Sequence, residues 1–317
     1  MNLSTFNFKL IKNPIIQSLL VTLSLLAGYS LLGSFNALKS SGGSNQWQGN
    51  IIRLQKYAYQ KHSQQTTVLV GSSLTANIPI DLTDKHIINL GLNGGYTQTG
   101  LEALLRQDPK PKLLLVEIND TISRKVDKQV IESNYNPVLH PFRRYFPSFK
   151  EEYKPSTQII LKFDELRHKF KKTPQPLEQQ NDGEKTDSQQ LSGEHNSLGD
   201  KLISQLIQNN SKPLSDEGKR LLNQEAQYIK SQISRLERDG THVILFNVPG
   251  DHRIENTLAV KQSKLLMKEL FPPKSFNWIS DPPTKEWLTG DGAHLTALDA
   301  RVYADFLKGY LKSYMQL

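Results

Sequence analysis

Val68-Leu69-Val70-Gly71-Ser72-Ser73-Leu74-Thr75 decides how this chain reads: a β-branched apolar run meets a glycine and then two hydroxyl side chains, the pattern of a buried strand ending in a turn. A serine in such a turn stands at the C-terminal edge of a sheet. In open α/β sheets ligands bind at that edge, because loops and helix N-termini converge there and leave free backbone donors. The same reading predicts strands over 67–70, 86–92, 112–118, 241–248 and, on a thinner pattern, 275–279.

Helical spacing alternates with most of these runs. It predicts helices over 47–61 (Ile51, Ile52, Leu54, Tyr57), 100–106, 202–207, 217–238 and 297–314, the last packing on the sheet through Val302, Phe306, Leu307 and Leu311. Helix followed by strand, repeated, implies parallel pairing and an α/β fold. Residues 121–240 are too many for one crossover. They divide into an aromatic, proline-marked part around 134–153, expected to act as a lid, and a polar part over 171–200, expected to be disordered.

The 317 residues carry a formal charge of +8. The basic residues are spread along the chain with no aromatic-interleaved cluster, so nucleic acid is not the expected partner. The absence of cysteine excludes disulfides, thiolate catalysis and lipid attachment through an N-terminal cysteine. The histidines outside the C-terminal motif show neither His-x-x-x-His nor His-x-His spacing, so neither a metal nor another cofactor is expected.

No charged residue occurs from Asn13 to Leu38, and Ile15 to Gly33 is mostly apolar, close to the length of a membrane-spanning helix. Lys9 and Lys12 precede it, so the positive-inside tendency leaves residues 1–14 as a cytoplasmic tail and sends the chain after about Lys39 to the far side. A cleaved signal peptide is the alternative to an anchor over 15–34, but Phe35 spoils the best cleavage pattern, which ends at Ala37. Residues 35–65 then read as linker and helix, with Ser40-Ser41-Gly42-Gly43-Ser44 a flexible spacer, and 66–317 as the main domain.

Four separated blocks carry the chemistry. They are Gly71-Ser72-Ser73-Leu74, the turn Asn93-Gly94-Gly95 after Asn89-Leu90-Gly91-Leu92, Glu117-Ile118-Asn119-Asp120 at a strand end, and Asp291-Gly292-Ala293-His294 just before the last helix. Together they resemble the SGNH or GDSL-type serine hydrolase family. Ser72 stands where that family usually has aspartate, Glu117 where it has glycine, and Leu295 where proline is frequent.

The resemblance implies a three-layer α/β/α, flavodoxin-like fold with a mostly parallel sheet. It further implies Ser73 as nucleophile, with Ser72 the alternative, His294 as general base oriented by Asp291, and an oxyanion site built from the Ser73 and Gly94 backbones and the Asn119 amide. Asp251, His252 and Arg143 are candidate substrate-binding residues. The implied reaction is acyl transfer through an acyl-serine: to water in an esterase, or to a sugar hydroxyl in an O-acyltransferase of the cell envelope, where a multi-spanning acyltransferase would be a partner. The rival from another class is a non-catalytic, membrane-anchored envelope protein that keeps the fold and binds through 135–153.

Overall fold

The computed structural model describes residues 13–34, 45–60, 66–80, 86–154, 192–279 and 282–315. In chain order its elements are α1 (Pro14–Ser34), α2 (Gln46–Tyr59), β1 (Thr67–Gly71), α3 (Ser73–Ala76), β2 (Ile87–Gly91), α4 (Thr97–Leu105), β3 (Leu113–Glu117), α5 (Lys128–Asn134), α6 (Leu139–Tyr145), α7 (Ser192–Asn210), α8 (Asp216–Arg238), β4 (His242–Phe246), α9 (His252–Glu255), α10 (Leu258–Leu270) and α11 (Ala297–Met315). Tight 3-10 turns occupy Asp120–Ser123, Pro147–Phe149 and Glu151–Tyr153.

The four strands form one parallel sheet in the order β2-β1-β3-β4. Every residue of β1 and β3 is buried, which is why these strands read as unbroken apolar runs rather than alternating ones. Leu69, Leu115, Ile244 and Phe246 share a core with Tyr303, Ala304, Leu307 and Leu311 of α11. Next to Leu69, Val70 approaches α4 closely enough that a Cβ on Gly100 would lie 3.1 Å from its side chain. In α8 the residues Leu222, Ala226, Ile229, Ile233 and Leu236 are buried at alternating spacings of four and three, giving one apolar stripe.

Three expectations need correction. Residues 275–279 contribute no strand: they make a single parallel bridge, Leu245 to Trp278, because the chain is committed to a turn in which Ser275 and Phe276 both donate to the Pro272 carbonyl. Residues 192–200 of the polar segment expected to be disordered lie in α7; a helix anchored by buried Ile203 propagates back through polar residues. On α11, Val302 is 38 % exposed and the next two residues, Tyr303 and Ala304, face the core instead. One residue moves the buried stripe by about 100°, so a small error in phase exchanges in for out. The tail 1–12, the spacer 40–44 and residues 155–191 lie outside the described residues.

The chain divides into two units, Met1–Gln55 with Asn134–Pro176, and Lys56–Ser133 with Leu177–Leu317. The sheet belongs to the second. The first contains α1, whose apolar composition and 21 residues make it long enough to cross a membrane.

Candidate functional site

Parallel pairing places the C-terminal ends of all four strands at one edge. The Leu92 amide donates to the Gly71 carbonyl (3.1 Å) and the Ile118 amide to Phe246 (2.9 Å), so the turns after β1, β2 and β3 leave the sheet in register. Ser72 caps α3, its Oγ accepting from the Leu74 amide at 3.2 Å. Ser73, the first residue of that helix, is half-buried, and its Oγ lies 2.8 Å from His294 Nε2 across 221 positions of sequence. On the other side of the ring, His294 Nδ1 lies 2.7 Å from Asp291 Oδ2.

The histidine is positioned by its own turn. Asp291 Oδ1 accepts from the amides of Ala293 (3.0 Å) and His294 (2.8 Å), which fixes the loop conformation with the same carboxylate that meets the ring. The Gly290 amide donates to the His294 carbonyl, and the Thr296 amide to Leu288, closing the segment. Gly292 adopts φ +90°, a conformation that disfavours any side chain. The Asp291 bond raises the His294 pKa above its ordinary value, with partial burial opposing, and holds the Asp291 carboxyl below the usual carboxylate range together with the two amides. A carboxylate accepting from Nδ1–H leaves Nε2 as the acceptor for the Ser73 hydroxyl.

Sequence reasoning missed the part played by Glu117. Its side chain is fully buried at the end of β3 and accepts four kinds of donor: the Ser72 amide (2.8 Å), the Ser72 hydroxyl (2.9 Å), the Thr75 hydroxyl (2.5 Å) and Asn119 Nδ2 (2.5 Å). Burial raises this carboxyl above its ordinary value, with those hydrogen bonds, led by Thr75, opposing the shift. The room for it comes from Gly71, where a Cβ would sit 2.2 Å from Glu117 Oε2. The signal was present as two unusual residues, Ser72 and Glu117, treated singly. Jointly they set a carboxylate against the serine turn from β3 instead of from the turn itself.

Asn119 is fixed at three points, donating one Nδ2 hydrogen to Glu117 and accepting at Oδ1 from the Thr121 amide (2.9 Å) and hydroxyl (2.6 Å). Its second Nδ2 hydrogen has no partner among the described residues. Gly94 is exposed, at φ 62°, in a turn closed by the Gly95 amide to Leu92 (2.9 Å). Gln98 ties the turn that follows Asn119 to α4, donating to the carbonyls of Ile122 and Arg124, both at 2.7 Å.

The other candidates have different employment. Ser72 Oγ, 3 % exposed, is bonded to Glu117 and not to His294. Asp251 is not a free substrate-binding group: it is 5 % exposed, caps α9 through the Arg253 amide, holds the Arg253 guanidinium at 2.8 and 3.0 Å, and donates its own amide to the Gly292 carbonyl at 3.3 Å. It therefore braces the histidine turn. His252 is exposed, with Glu286 3.4 Å from its Nδ1. Arg143 belongs to the N-terminal unit, is 3 % exposed, and donates from its guanidinium to the carbonyls of Phe149 (3.1 Å) and Asn134 (3.3 Å).

The chain matches no family model, no curated protein and no solved structure.

Proposed function

We propose that the chain is a serine-dependent acyl hydrolase or O-acyltransferase of the SGNH type, built as a three-layer α/β/α domain and held at the outer face of a membrane by α1. The observation that carries this reading is the pair of contacts on one imidazole: Ser73 Oγ at 2.8 Å from Nε2 and Asp291 Oδ2 at 2.7 Å from Nδ1. That is the hydrogen-bond reach needed for a nucleophile, its base and the base's orienter.

In the proposed reaction Ser73 Oγ bonds to the acyl carbonyl carbon while its proton passes to His294 Nε2. The carbonyl oxygen becomes an oxyanion, met by the Ser73 and Gly94 amides and the second hydrogen of Asn119 Nδ2. Collapse breaks the bond to the leaving alcohol, which departs with the proton from His294. Water or a sugar hydroxyl then attacks the acyl-serine, gives its proton to His294, and the restored Ser73 takes that proton back. The anchor favours an ester of the cell envelope as substrate, an acylated glycan among them, and a multi-spanning acyltransferase as the acyl donor's source.

Labelling of the full-length protein with a fluorophosphonate tests this. The wild type is expected to take one label at Ser73, and Ser73→Ala or His294→Ala to lose at least about a hundredfold in labelling rate or turnover. A folded wild type that takes no label would leave the non-catalytic envelope protein as the better reading.

A further inference from the structure

We propose that residues 138–149, comprising α6 and the turn after it, form a membrane-interface surface that lies among the headgroups and upper acyl chains of the bilayer that α1 crosses. The inference rests on α1 being a retained membrane span and concerns the N-terminal unit alone.

Position is the first argument. Ser30 Oγ meets Ser148 Oγ at 2.7 Å, and Tyr29 donates its hydroxyl to the Tyr153 carbonyl, four residues beyond the segment, at 2.7 Å, so the last turns of α1 are bonded to this segment and to the turn that follows it. A helix of 21 residues is about 31 Å long, and the hydrocarbon layer is about 30 Å thick. An anchor that spans it with Pro14 at one boundary has Ser34 at the other and Tyr29 and Ser30 about 6–8 Å inside it, among the upper acyl chains. Whatever is bonded to Tyr29 and Ser30 stands among the upper acyl chains, close below the headgroups.

Composition is the second. Val138 (64 % exposed), Leu139, Phe142 (49 %), Tyr145 (74 %) and Phe146 point outward within nine consecutive residues, with Arg144 exposed among them. Aromatic rings, aliphatic side chains and a cation are the mixture that the interface favours, and five large apolar groups together in water are costly. Phe142, Phe146 and Phe149 already pack against one another, one pair stacked and the others tilted or edge-on, with ring centroids 6.2 to 6.3 Å apart, so the patch is formed before lipid meets it. Arg143, buried beneath, satisfies the carbonyls of Asn134 and Phe149, a need that becomes acute where water is scarce. Lipid is the favoured occupant over a protein because attachment to α1 brings the patch to the bilayer whether or not a partner is present.

The absence of native cysteine allows single-site labelling of the full chain. Phe142→Cys, Tyr145→Cys, Leu23→Cys within α1 and Ser234→Cys on α8 would each carry an environment-sensitive fluorophore, in vesicles of phosphatidylcholine and phosphatidylglycerol. Nitroxide lipids labelled near the headgroup or near the chain end act as quenchers, with iodide in the water. The labels at 142 and 145 are expected to be quenched at least about twofold more by the shallow nitroxide than by the deep one and to be shielded from iodide, as interfacial side chains are. The label at 23 should respond most to the deep nitroxide, and that at 234 to iodide alone. Iodide access at 142 and 145 equal to that at 234 overturns the proposal, and shielding from both quenchers assigns the patch to a protein partner and overturns it too. Failure of the anchor is separate: the label at 23 would then escape both nitroxides.

Discussion

The histidine and serine halves of the site are held in opposite ways. Around His294 most orienting bonds are short in sequence, from Asp291 Oδ1 and Oδ2, the Gly290 amide and the Thr296–Leu288 closure, with the Asp251 amide to the Gly292 carbonyl the long-range addition. Around Ser73 the turn is gripped by Glu117, 45 positions downstream of Ser72 and reachable only once β1 and β3 have paired. A turn closed mainly by its own residues can be read from a motif. A remote carboxylate makes the serine turn conditional on the sheet, so the geometry of Ser73 is coupled to fold stability more tightly than that of His294.

Asp291→Asn is expected to have the largest effect on chemistry. With the acceptor at Nδ1 weakened, His294 loses both its tautomer preference and its support as an imidazolium, and the labelling rate should fall about 10^4-fold. The pH dependence gives a second reading. Asp291 raises the pKa of His294 above the ordinary 6.5, so in the wild type the base form is lost as pH falls through a value above that figure. Removing the raising partner should move this acid limb to lower pH while the plateau drops. A limb that stays in place would mean that Asp291 does not set the histidine's protonation.

Glu117→Ala tests the serine half. It strands the Ser72 amide and the hydroxyls of Ser72 and Thr75 in a buried environment, each a group whose orphaning costs about 1–3 kcal/mol, so a loss of about 3 kcal/mol is expected even after credit for removing a buried charge. For a unit of this size that lowers the thermal midpoint by about 6–12 °C. The labelling rate should fall with it, because the same bonds hold the first turn of α3. Asp291→Asn, by contrast, should leave the midpoint nearly unchanged. Equal thermal losses in the two variants would erase the distinction between a local and a remote brace.

What could be read in advance follows the same division. The four strands and the helices over 46–59, 216–238 and 297–315 announced themselves through apolar runs and stripes, because their burial is periodic along the chain. Asp291 and His294 were legible as a motif for the reason given above. Glu117 was not, since a charge ending an apolar strand reads as a solvated terminus until Gly71 is seen to leave space for it. Asp251 and Arg143 look like available ions in sequence, and only the folded geometry, which bonds them to Arg253, Gly292, Asn134 and Phe149, reveals them as braces. The phase of α11 slipped by a residue at Val302 because Val and Tyr are both plausible on an apolar stripe.

Gly292→Ala probes the local brace from its backbone. The added methyl would lie 2.4 Å from Ile254 Cδ1, a side-chain end that can move, so the strain comes chiefly from the φ of +90°. A cost of about 2 kcal/mol is expected, seen as a lower thermal midpoint and a slower label. Adding Ile254→Val should return only the steric fraction. Full recovery in that double variant would show that the backbone conformation is not what demands glycine.

Ser72→Ala carries the smallest expected effect and the sharpest discrimination. The substitution removes the α3 cap and one donor to Glu117, but the Ser72 amide, Thr75 and Asn119 continue to satisfy that carboxylate. Stability should fall by about 1 kcal/mol. Because Ser73, and not Ser72, meets His294 Nε2, labelling should continue at Ser73 within about tenfold of the wild-type rate, against a loss of at least about a hundredfold for Ser73→Ala. Mass spectrometry of the labelled peptide decides between the adjacent hydroxyls. A label that vanished with Ser72 and survived in Ser73→Ala would exchange their roles, and Glu117 would then become the nucleophile's hydrogen-bond partner in place of the imidazole.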